Sequence, residues 1–191
     1  MELLTLNESE IDNVYLSRMK QDFPPDELKP LDTIFRALRC GQYRCIGLSD
    51  GEKLLGYAYF IILRYDNCIT LLLDYFAVDA ALRGHGIGTA FLQKLPELFP
   101  DADTVLIEVE RPDAAETDLE RAYRSRRKSF YLRGGCRETG LKARIFGVPY
   151  DILQYPLAAE PDTDALRERY DACYRQILTK QLYLANIEIE T

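Results

Sequence analysis

The stretch Phe76-Ala-Val-Asp-Ala-Ala-Leu-Arg-Gly-His-Gly-Ile-Gly-Thr89 decides how this chain is read. Ahead of it, Ile69 to Val78 is almost wholly apolar, the pattern of a strand buried on both faces. Behind it, a helix is predicted from about Ile87 to Leu95. Between strand and helix stand Gly84, Gly86 and Gly88. Glycine lets the backbone turn tightly and approach a ligand closely. Joined to the positive N-terminal end of a helix, such a turn gathers backbone N–H groups around one anion, and a pyrophosphate suits it. Arg83 adds a permanent positive charge at the rim.

Two well-known phosphate loops do not match. A P-loop ends in Gly-Lys-Ser/Thr, whereas Gly88 is followed by Thr89 with no lysine. A dinucleotide-binding fingerprint needs glycine at the sixth position from Gly84, which is Thr89 here. That fingerprint also opens its domain, whereas here helices and hairpin-like strands come first. A turn that merely needs glycine's flexibility stays open at this point, as does a nucleotide-dependent enzyme.

Working outward, Glu2 to Leu6 reads as a first strand. Asn7 with Glu10 resembles a capping box, and Ile11, Val14, Tyr15 and Met19 recur on one helical face. That helix ends near Asp22-Phe23-Pro24-Pro25, because proline disfavours helical geometry in the residue before it. A second helix runs from Pro30 to Gly41. Tyr43–Leu48 and Lys53–Leu63 are strand-like runs joined by the turn Ser49-Asp50-Gly51-Glu52. Beyond the glycines come a strand at Thr104–Glu110, a helix at Leu119–Arg133, and strands near Cys136–Lys142 and Tyr150–Tyr155. A last helix carries Leu166, Tyr170, Cys173, Tyr174, Ile177 and Leu178 on one stripe. Strands first and then alternating strand and helix predict a mixed α/β (α+β) fold. We expect one domain over 1–191 with a C-terminal helical extension at about 162–191.

Composition excludes several classes. A net charge of -7 over 191 residues argues against nucleic-acid binding, where Lys and Arg neutralise phosphates, and against a basic membrane-surface protein. One histidine and five cysteines with no C-x-x-C pair give no metal site. The opening MELLTLNESEID has neither the cationic region nor the long apolar stretch of a secretory signal, so a cytoplasmic location is expected.

The order of elements and the turn together resemble the GNAT N-acetyltransferase superfamily. Its coenzyme A turn, Gln/Arg-x-x-Gly-x-Gly/Ala after a strand ending in an Ala-Val-like pair, is matched by Phe76-Ala77-Val78-Asp79 and Arg83-Gly84-His85-Gly86-Ile87-Gly88. Ser129-Phe130-Tyr131-Leu132-Arg133-Gly134-Gly135 resembles the family's helix end before a glycine turn. The resemblance implies a single mixed, mostly antiparallel central sheet flanked by helices. It implies acetyl-CoA as cosubstrate, no metal, and acetyl transfer to a primary amine by direct attack in a ternary complex. The acceptor is a small-molecule or peptide amine, no nucleic acid or membrane takes part, and a homodimer is left open. A catalytically silent acyl-CoA-binding regulatory module is the alternative.

Carried onto this chain, the resemblance assigns backbone pairing with the pantetheine arm to Phe76 and Val78. The pyrophosphate falls to Arg83, Gly84, His85, Gly86, Ile87, Gly88 and Thr89, with His85 mainly a backbone donor. Tyr131 becomes the general acid. Glu108 and Asp74 are both candidate bases, the latter because a carboxylate inside a strand core needs a reason. Six basic residues and no acid lie between Arg121 and Arg133, leaving 18 basic against 31 acidic side chains elsewhere. Arg124 and Arg127, one turn apart, are therefore expected to face the polyanionic coenzyme. The acids of Asp22-Phe23-Pro24-Pro25-Asp26-Glu27 are expected to attract a cationic amine.

Overall fold

The computed structural model describes residues 1–25, 27–158 and 163–190. The elements in order are β1 (Glu2–Thr5), α1 (Glu8–Val14), a π turn (Tyr15–Met19), α2 (Lys20–Asp22), α3 (Leu31–Arg39), β2 (Tyr43–Ser49), β3 (Leu54–Tyr65) and β4 (Cys68–Val78). There follow α4 (Ile87–Gln93), α5 (Leu95–Leu98), β5 (Thr104–Glu110), α6 (Asp118–Arg133), β6 (Arg137–Ile145), β7 (Val148–Pro156), α7 (Thr163–Ile177), α8 (Lys180–Asn186) and β8 (Ile187–Glu190). The strands are ordered β1-β2-β3-β4-β5-β7-β6-β8 in one sheet. The pairings β1–β2, β2–β3, β5–β7, β6–β7 and β6–β8 are antiparallel. This is the mixed, mostly antiparallel sheet that the sequence predicts.

The chain divides into two compact units, Met1–Ile62 with Leu73–Phe91, and Leu63–Leu72 with Leu92–Thr191. In the first unit, the Asn7 side chain accepts from the Glu10 N–H while Glu10 reaches back to the Asn7 N–H at 2.8 Å, so the capping box forms. The π turn after α1 widens the helix by one residue per turn, which re-aims the side chains that follow it. Met19 is then wholly buried, and Arg18 reaches the Leu54 carbonyl at 2.9 Å. Phe91 of α4 stacks on Phe76 at 4.9 Å and lies 6.3 Å from Phe60, which fixes the helix after the glycine turn against β3 and β4. Gly56 of β3 permits a close approach, since a Cβ there would sit 2.6 Å from the Ala77 carbonyl oxygen.

In the second unit, Thr117 caps α6 by accepting from the Glu120 N–H at 3.1 Å. Strands β6 and β7 run longer than the sequence pattern indicates and meet at Phe146-Gly147, both with positive φ. The C-terminal segment differs from expectation. It is not helical to its end: α7 and α8 are followed by β8, whose Ile187–Glu190 pairs with Lys142–Ile145 of β6. Ile187 and Ile189 alternate with Glu188 and Glu190, a strand period too short to stand out beside a helix.

Candidate functional site

In the first unit, β4 ends at Val78 and the Asp79 carboxylate accepts from the Ala81 N–H at 3.0 Å, opening a short 3-10 turn. Arg83 is extended, and Gly84 and Gly86 adopt φ of +84° and +82°, a region that side chains strain to enter. Nothing lies within 4 Å of a Cβ built on either glycine, so the space over the turn is open. The first internal bond of α4 runs from the Ala90 N–H to the Gly86 carbonyl at 2.9 Å. The N–H groups of Ile87, Gly88 and Thr89 precede it and, as in any first helical turn, have no partner inside the helix. Open space, first-turn N–H groups and glycine geometry suit a phosphate.

His85 helps to close the turn. Its backbone N–H turns back toward the Leu82 carbonyl at 3.4 Å, closing the turn, and its exposed ring lies beside the Arg83 carbonyl at 3.2 Å. Arg83 is more than half exposed, yet its Nε donates to the Val78 carbonyl at 3.1 Å and its guanidinium lies 3.5 Å from Asp22. It braces the turn while still reaching its rim.

Asp74, a candidate base, is held by two partners. Its carboxylate holds Lys29 Nζ at 2.6 Å and the Tyr43 hydroxyl, with the side chain 4% exposed. Burying a charge is tolerable only with such partners, and here they anchor Asp74 to the inter-helix loop and to β2. Nearby, the Lys29 N–H donates to the Tyr75 hydroxyl at 2.9 Å, and that hydroxyl donates to the Glu27 carbonyl at 2.9 Å. Burial pushes the Tyr75 phenol up to about 12, and burial together with the Asp74 charge holds the Tyr43 phenol well above its ordinary range. The inter-helix loop is tied in the same way. Asp22 accepts from the Tyr57 hydroxyl at 2.8 Å, and Phe23 meets Tyr75 edge-on at 5.1 Å. Asp22 is therefore partly neutralised by Arg83, and Asp26 lies outside the described residues.

In the second unit, Glu108 and Glu110 share one face of β5. Glu110 lies 2.8 Å from Arg124 Nε and 3.8 Å from Arg127. Arg124 also pairs with Glu120 and donates to the Arg111 carbonyl at 3.1 Å, with only 10% of its side chain exposed. Lys128 pairs with Asp151 at 2.8 Å and Glu138 at 3.1 Å. The charge of Arg124, expected to face the coenzyme, is matched within the unit, and Arg127 shares Glu110. Residue counting along one helix cannot see acids delivered by β5 and β7.

Tyr131 is 3% exposed. Burial raises its phenol above the ordinary range, and the Arg127 guanidinium pulls it part of the way back. Glu108 is met by the C-terminal helix: Tyr170 and Tyr174 both donate to its Oε1, the latter at 2.6 Å. Sequence reading places these tyrosines on one helical stripe but does not identify their partner. Among the described residues, no group of His, Cys, Asp and Glu could hold a metal ion, and no helix is long and apolar enough to cross a membrane.

Comparison with known proteins adds a family. The model of the acetyltransferase (GNAT) family matches residues 10–123. No curated protein sequence matches the chain. Among solved structures, a putative GNAT-family acetyltransferase from Bacteroides thetaiotaomicron is similar at 20% identity and a TM-score of 0.70, covering 94% of this chain and 100% of that one. An aminoglycoside 6'-N-acetyltransferase complexed with coenzyme A is similar at 15% identity, TM-score 0.59, covering 85% and 100% of the two chains. The ribosomal-protein-S18-alanine N-acetyltransferase from Escherichia coli is similar at 18% identity, TM-score 0.58, covering 84% and 96%. At these identities the likeness is one of fold.

Proposed function

The chain belongs to the acetyltransferase (GNAT) family, and from that premise we propose that it moves an acetyl group from acetyl-CoA to a primary amine by direct attack. The observation that carries the reading is the glycine turn between β4 and α4, with Gly84 and Gly86 at positive φ under open space. Acetyl-CoA supplies an acetyl group as a thioester, reactive enough for an amine to attack without a covalent enzyme intermediate. The turn binds the pyrophosphate through the N–H groups around Gly86 to Thr89, and Arg83 adds charge at the rim. Phe76 and Val78 offer main-chain groups to an extended arm in the manner of an added strand.

Bond by bond, the amine nitrogen attacks the thioester carbon, the C–N bond forms and the C–S bond breaks. Glu108 takes the proton lost by nitrogen, and Tyr131 gives one to the departing thiolate. A phenol raised by burial keeps its proton at neutral pH, as this role needs. The acceptor is a small-molecule or peptide amine, and the reading places the work in the cytoplasm.

The test is acetyl-CoA binding followed by CoA release against a broad panel of amines. Binding with turnover on at least one amine is expected. Tight binding with no turnover, and Tyr131→Phe without effect, would leave a silent acyl-CoA-binding module. Thermal stabilisation by NAD or ATP but not by CoA would overturn the reading.

A further inference from the structure

The C-terminal helix meets the strand that carries the proposed base. Tyr170 and Tyr174 lie one turn apart on α7, both buried, their rings edge-to-face at 5.6 Å. Both hydroxyls converge on a single oxygen, Oε1 of Glu108. Burying two phenols against one carboxylate oxygen is a specific arrangement, since one donor satisfies the ordinary need of a buried polar group. The helix is also held in place by its own tail. Arg175 pairs with Asp171 at 2.7 Å and lies 4.1 Å over the Tyr183 ring of α8, while the Tyr183 hydroxyl donates to Asp171. Strand β8 then pairs with β6. The segment after residue 163 thus delivers two donors to β5 and secures the helix that bears them.

We infer that Tyr170 and Tyr174 are positioning residues: they fix the orientation of Glu108 and keep it ionised for the acetyl transfer proposed above. The inference rests on that reading of the reaction. A hydrogen bond donated to a carboxylate favours its charged form, so each phenol lowers the pH at which Glu108 gains a proton. Other titratable groups belong to the same elements and their neighbours. Glu110, with Arg124 and Arg127, lies two residues along β5, and Tyr150 of β7 stands opposite Glu110. On α7, Cys173 lies beside Tyr170, and Cys68 is the titratable residue of the Cys68–Leu72 stretch of β4. None of these changes in a Tyr170 or Tyr174 variant.

The experiment is the pH profile of kcat/KM with acetyl-CoA and an amine found to be turned over, for wild type, Tyr170→Phe, Tyr174→Phe, the double variant and Glu108→Gln. Phenylalanine keeps the ring and removes only the donor. Each single variant is expected to move the acidic limb upward by about one pH unit, and the double variant further. Glu108→Gln should remove that limb. The limb contributed by the amine's own deprotonation stays fixed in every variant. Ile177→Val, which thins the packing of the same helix without touching a donor, should lower the melting temperature and leave the limb in place. An unmoved limb in both tyrosine variants, with the wild type active, would overturn the inference alone and leave the tyrosines as packing. Glu108→Gln with an unchanged limb would overturn it as well. Absence of turnover by the wild type on every amine would overturn the activity reading, and this inference with it.

Discussion

The turn from Arg83 to Thr89 and the basic face of α6 both read in the sequence as anion sites, and they fold into opposite things. The turn carries one charged side chain and depends on backbone N–H groups, glycine torsions and empty space. The helix carries six cationic residues from Arg121 to Arg133, yet Arg124, Arg127 and Lys128 are matched by Glu110, Glu120, Asp151 and Glu138. A count of charges along a segment is therefore not a measure of charge available to a ligand. Backbone donors of the first helical turn after the glycines are different, because the helix itself offers them no partner.

Four measurements break or sharpen this contrast. The largest effect is expected from Tyr131→Phe, which removes a proton donor: kcat falls roughly 100-fold or more while the acetyl-CoA Kd stays as it is. An unchanged kcat would strip the α6 face of its one proposed catalytic group. Next is Gly86→Val. A β-branched residue at φ +82° is strained, and about 1–3 kcal/mol of strain corresponds to a roughly 5- to 150-fold weaker acetyl-CoA Kd by calorimetry if binding holds the native turn. Binding at wild-type strength would show that the turn is not the site.

Arg124→Ala comes third and tests the contrast directly. Leaving Glu110 and Glu120 without this partner should cost about 2 kcal/mol in denaturant unfolding, less than for a fully buried pair. The Kd for acetyl-CoA should change by less than about threefold. A tenfold loss of affinity would restore the basic face as part of the coenzyme site.

The smallest effect is in alkali. Tyr43, Tyr57, Tyr59 and Tyr75 of the first unit all have phenols raised by burial. A group whose acidity is weakened by folding adds stability below its unfolded value, near 10 for tyrosine. That stability is lost as pH climbs, through about 12 for Tyr75. In ultraviolet titration of the thirteen tyrosines, the share from these buried phenols should therefore lag free tyrosine and coincide with unfolding, and titration of all thirteen near 10 would contradict the burial.

Much of the fold was legible because its signals are local. The Asn7–Glu10 capping box, Pro30 before α3, the Ser49–Glu52 turn and the apolar run of β4 each act within a few residues. β8 was not legible: four residues alternating Ile and Glu become a strand only because β6 offers an edge. The site divides in the same way. Gly84, Gly86 and the following helix stood out by spacing, whereas the role of Asp74 turned on Lys29 and Tyr43, residues 45 and 31 positions away. Glu108 acquired its tyrosine partners from 62 and 66 positions along the chain.

By itself the sequence determined the element order, the glycine turn and the family resemblance, because each depends on torsional preference and periodicity over short spans. Only the tertiary structure decided which charges are matched, which carboxylate is an anchor, and which one receives the C-terminal helix. Pairing in space follows chain reversal across a sheet. No local pattern records it.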